Sequence, residues 1–158
     1  MSTLSIILAS LRGLHLLGLA SLFGTLVSLA LVAPAGLQEA ERDGFAAEAV
    51  TARQRLVRLA RWSDAAALLS GAAWMVVQSA EIAGTSSIGA TLAAVSTVAH
   101  ATQFGHVVLL RFLLLLVAVP LLCGRGWRLG VALLLSGAAL AIQGGVGHAG
   151  AIGGTVGD

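Results

Sequence analysis

Residues 102–122, "TQFGHVVLLRFLLLLVAVPLL", constrain the fold more than any other stretch. A helix needs ~20 apolar residues to cross a bilayer, and this run supplies them. Its polar side chains His106 and Arg111 fall in the first half, and nothing polar follows them. Where such groups lie along each span is therefore the question that bears on function.

Composition extends the membrane reading to the whole chain. Of 158 residues, 58% are hydrophobic and 10% charged, against ~25% charged in soluble domains. The length holds roughly four to five spans and no separate soluble domain. Segment 4–33 is far longer than a signal-peptide apolar region, has no charged start and lacks a clear A-x-A site. It reads as the first span. All nine basic residues are arginine. The pI near 10 reflects loop arginines on an apolar body and calls for no nucleic-acid partner. The single Cys123 forms no internal disulfide, and no CxxC offers a thiolate metal site. There is no nucleophile–base pair and no nucleotide motif, so enzyme chemistry has no support.

The expected fold is an all-α membrane protein: a bundle of four transmembrane helices over about 4–33, 62–82, 104–122 and 127–148, forming one domain, 1–158. Pro34 ends the first span. Leu56, Leu59 and Ala60 against Arg53, Arg58 and Arg61 make an amphipathic interfacial helix that runs into span 2. The loops 34–61 and 123–128 hold seven of the nine arginines. The positive-inside rule places both loops in the cytoplasm, so both termini and the 83–103 connection face outward. A fifth span over 86–103 would put the two arginine loops on opposite sides. Residues 90–102 are therefore expected as a short helix at the outer face.

Depth follows from the 1.5 Å rise per residue. Arg12 lies roughly 12 Å and His15 roughly 17 Å below the outer surface. Gln78, Glu81, His100, His106, Arg111, Gln143 and His148 also fall in the outer half, and Asp64 marks the inner side. A charge in mid-span costs ~2.5–3.5 kcal/mol on insertion scales, so these groups face one another, line a wet cavity or snorkel to headgroups. Arg12 with His15, and Gln78 with Glu81, share helix faces at i, i+3. His106 and Arg111 are about 140° apart on an unbroken helix, so they converge only if Gly105 breaks it. Met75 follows one turn inward of Gln78 and is either packing or a soft ligand. Glycines 144, 145 and 147 allow close helix packing. Four imidazoles, a carboxylate and a thioether on one side suit a late transition metal, but no pair has the spacing of a zinc helix. Structural hydrogen bonds and interfacial placement remain open for the same histidines.

The run "TQFGHVVLLRFLLLL", with Thr102, Phe104, Gly105, Leu110 and Arg111, resembles the T-x-F-G-x-x-x-L-L-R-L stretch of the CopD/PcoD copper-resistance membrane proteins. "RGLHLLGLASLFGTLVSL" (12–29) is similar to their first helix, and "GHAGA" (147–151) to a G-H-A span end. The resemblance implies an inner-membrane protein that moves copper, beside a periplasmic copper-binding CopC-type partner. Members are usually about twice this length. The chain is then a fragment matching the first half, or a half-size form that pairs as a homodimer.

On this reading His100, His106 and His148 collect copper at the outer face, His15 relays it inward, and Met75 lies below. Arg12, Gln78, Glu81, Arg111 and Gln143 support them. One alternative is a b-type cytochrome subunit with haem b between two histidines at one depth, for which His106 and His148 qualify. Another is a structural or assembly subunit without a ligand.

Overall fold

The computed structural model describes residues 3–85 and 87–143. Among these residues every regular element is helical. Helix α1 spans Thr3–Val27 and passes through a π-helical turn, Ser28–Val32, into α2, Ala33–Arg42. Helix α3 is Ala46–Ala83, α4 Ile88–Ala101, α5 Gln103–Ala118 and α6 Trp127–Ala141. A short 3₁₀ turn, Val119–Leu121, follows α5.

Three helical stretches are long and apolar enough to cross a membrane: Thr3–Arg42, Ala46–Ala83 and Gln103–Leu121. Ile88–Ala101 and Trp127–Ala141 are shorter apolar helices. The expected fourth span, 127–148, is helical through Ala141, and its last residues lie outside the described ones.

Pro34 does not stop the first helix. It sits at the start of α2, where its missing N–H and fixed φ are tolerated. The adjustment occurs one turn earlier, where the Ala33 N–H donates to Ser28 O, an i→i−5 bond that widens the helix. The amphipathic stretch before residue 62 is likewise no separate element. It is the first part of α3, which at 38 residues is roughly 57 Å long and outreaches the hydrocarbon core. The turn between α2 and α3 uses Gly44 at φ +90°, and α3 ends on Gly84 in the left-handed region, a common helix stop.

Side-chain pairs fix the directions. His15 meets Ala67 and Ser21 meets Ser63, so α1 and α3 are antiparallel. Gly71 lies against Phe112 and Trp74 against Phe104, so α5 opposes α3 and runs parallel to α1. Helix α6 packs on α1 and α5. The main core joins Leu19, Leu22, Leu26, Leu115 and Ala132. A smaller cluster of Met75, Val98, Ala99 and Val108 seats α4 between α3 and α5. That helix is about 21 Å long, short of a bilayer's hydrocarbon core.

Candidate functional site

The α1–α3 contact is close because it is made of small residues. A Cβ on Gly18 would lie 2.9 Å from the backbone nitrogen of Ala67. A Cβ on Gly71 would lie 2.9 Å from His15 Nδ1 and from Phe112 Cε1. Ala67 and Gly71 thus form a small-xxx-small pair that leaves room for one imidazole between helices α1, α3 and α5.

His15 fills that room with 1% of its surface exposed. Its Nδ1 is 2.8 Å from the carbonyl oxygen of Ala67. A carbonyl only accepts, so Nδ1 carries the proton, and in the neutral ring the lone pair belongs to Nε2. Metal-binding histidines are commonly oriented by such a bond. Toward the end where α3 stops, Trp74 stands at 6.1 Å between ring centroids. Phe104 packs edge-on against Trp74 at 5.0 Å. Trp74, backed by Phe104, flanks His15 on that side.

Arg111 comes to the same junction. It is fully buried, and none of its three guanidinium nitrogens has a hydrogen-bond partner among the described residues. It lies within electrostatic range of His15 and of Arg12. It has no hydrogen bond to Glu81, which is exposed with Gln78 Nε2 donating to its Oε2 at 3.4 Å.

The stretch that carried the family resemblance gains a physical meaning. Thr102 caps α5, accepting from the Gly105 N–H at 2.9 Å, and its hydroxyl donates to Val98 O at 2.7 Å. A Cβ on Gly105 would overlap the Val98 carbonyl and stand 2.6 Å from Ala99 Cα, so only glycine lets α5 leave the end of α4 so closely. Gly105 does not break α5, which is continuous from Gln103 to Ala118. His106 and Arg111 accordingly diverge, the first exposed and the second buried.

The remaining site residues are spread out. His100 and His106 are exposed on either side of the Thr102 corner. Arg12 is exposed, although His15 three residues on is buried. Met75 is buried among Val98, Ala99 and Val108. Gln143 has both amide atoms buried without a partner among the described residues. His148 lies outside the described residues, so the His106–His148 pair of the haem reading has one member there. Among the described residues no three of His, Cys, Asp and Glu gather as a metal-binding group. Nearer the arginine-rich end, Asp64 is 2% exposed and its Oδ1 has no partner.

The family profile described as "Copper resistance protein D-like, N-terminal domain" matches residues 1–158. The chain belongs to this family. It is a copper-resistance-related, multi-pass membrane protein. No curated protein matches the chain, and no solved structure does.

Proposed function

We propose that the chain takes up or relays copper ions as cargo, through imidazoles at the end of the bundle away from the arginine loops. The family supports copper as the cargo. The observation that carries the reading is His15, a buried imidazole whose Nδ1 is tied to Ala67 O and whose neutral form directs its other nitrogen's lone pair elsewhere. Because the Ala67 bond occupies Nδ1, the Nε2 lone pair is the one that a relayed ion would bind. His100 and His106 at the corner, with His148, act as collectors, and copper reaches His15 when Trp74 and Phe104 move aside. Copper is carried, not chemically transformed, so the protein is no enzyme. Met75 is a packing residue that can serve as a soft ligand once the cover opens.

In this reading four spans cross a bacterial inner membrane with both arginine loops inside. A periplasmic copper-binding partner delivers the ion, and a second copy or a following half completes the path. The test is anaerobic copper titration of the wild type, His15→Ala, His106→Ala and His148→Ala, with a visible spectrum of each. The expected result is copper binding weakened roughly 10-fold or more by removal of a ligand, since even changes behind the ligands cost this much. Identical binding in all four favours the structural-subunit reading, and a Soret band favours haem.

A further inference from the structure

At the opposite end of the bundle the π turn opens a groove between itself, α2 and the start of α6. Its volume is about 720 Å³, within the ~300–1,000 Å³ of sites that hold small organic ligands. Leu29, Leu31, Leu129 and Leu133 line one part, and Arg53 and Arg125 line another. The two parts have different surroundings. Leu29 and Leu31 belong to the membrane-crossing stretch Thr3–Arg42, and Leu31 is 70% exposed, so the apolar part opens sideways toward hydrocarbon. Arg53 lies near the start of α3 and Arg125 in the short link before α6, both at the chain's basic end. Arg53 donates to the Gly124 carbonyl at 2.7 Å, which holds it at the mouth with most of its five donors unspent. Arg58 and Arg61 line an adjoining hollow with Arg53, extending the basic rim.

We propose that this groove binds an anionic phospholipid, its phosphate on Arg53 and Arg125 and an acyl chain against the leucines of the π turn and α6. A soluble anion would leave the leucines uncovered. A neutral lipid would leave the arginines unmatched. Only an acidic amphiphile complements both halves, and basic pockets between spans are recognised sites for such headgroups. The origin of the groove supports a built feature. Pro34 removes the donor for the carbonyl of residue 30, the helix widens, and Leu29 and Leu31 on the widened turn become groove walls. Glu41 also lines the groove and is its opposing charge.

The experiment is native mass spectrometry of the full chain in detergent, titrated with phosphatidylglycerol, phosphatidylcholine or inorganic phosphate. Wild type should retain one phosphatidylglycerol per chain and prefer it to phosphatidylcholine by roughly 10-fold or more, taking about fivefold for each arginine at an acidic surface. Arg53→Gln with Arg125→Gln should abolish the preference, while Leu133→Trp, which fills the groove, should lower retention of both lipids. Glu41→Gln should strengthen phosphatidylglycerol retention. Arg55→Gln, on the same helix but outside the groove, should behave as wild type. Equal retention of the two lipids, full displacement by inorganic phosphate, or loss of preference in Arg55→Gln as large as in the double variant would each overturn the proposal.

Discussion

The sealed junction around His15 and the open groove around Arg53 use similar residues to opposite ends. Each contains an arginine and lies where helices from separate parts of the chain meet. At the junction, Gly18, Ala67 and Gly71 bring α1 and α3 close around His15, and Arg111 on α5 is fully buried. At the groove, the π turn that precedes Pro34 lines an open hollow, and Arg125 remains exposed. The difference teaches that the fate of a charge in this bundle is set by the size of its neighbours. Close helix packing encloses the imidazole of His15, and an open groove leaves Arg125 at its rim.

The largest expected effect comes from forcing the junction apart. Gly18→Leu meets the Ala67 backbone, which cannot rotate away, so its cost should reach or exceed the ~1–3 kcal/mol of ordinary overpacking. Thermal melting followed by helicity should show a strongly lowered midpoint or no folded protein. The matching change at the groove, Gly130→Leu, adds a Cβ with nothing within 4 Å of it and should leave the melt nearly unchanged. Equal losses would break the comparison.

Arg111→Leu is next, and its sign is informative. An unpaired buried cation is costly, so removing it should raise the melting midpoint, by up to the ~2.5–3.5 kcal/mol that a mid-span charge costs. Copper content should stay unchanged, because a guanidinium does not ligate. A lowered midpoint would mean that Arg111 has an acceptor beyond the described residues.

Gly71→Ala is subtler. Its methyl group presses on the His15 and Phe112 rings and not on backbone, so the fold should survive at ~1–3 kcal/mol. The His15–Ala67 hydrogen bond should not. Copper affinity should fall in Gly71→Ala by less than in His15→Ala, and an unchanged affinity would separate the histidine's orientation from any role in binding.

The smallest effect concerns acidity. Imidazole ligates only when neutral, protons compete with metal, and a free imidazole titrates near ~6.5. Copper binding should therefore weaken from pH 7.5 to 5.5, whereas phosphatidylglycerol retention in the groove, held by arginines, should not. A groove as pH-sensitive as the copper site would remove the distinction.

The helices were legible because apolar runs leave a membrane chain little choice, and the expected short helix over 90–102 corresponds to α4, Ile88–Ala101. Pro34 misled because a proline reads as a stop, while a π turn gives no side-chain signal. At the junction, the sequence marked His15 as a deep polar residue, and the structure buries it, but its partner is a main-chain carbonyl, which no residue pattern advertises. The Ala67–Gly71 spacing and Gly18 were the available clues to the close contact. The divergence of His106 from Arg111 follows from helical geometry alone. Only an assumed break at Gly105 obscured it, and that glycine serves a backbone approach instead.

The central claim is that His15 is an interior copper ligand and not a packing histidine. Its most direct test is a copper(I) competition titration at pH 7.5 of wild type, His15→Ala and His15→Gln, with helicity checked in each. The account predicts that all three stay folded and that both variants lose roughly 10-fold or more in affinity, Gln included, because an amide oxygen is a poor ligand for a soft ion. Wild-type affinity in folded His15→Ala and His15→Gln would contradict it.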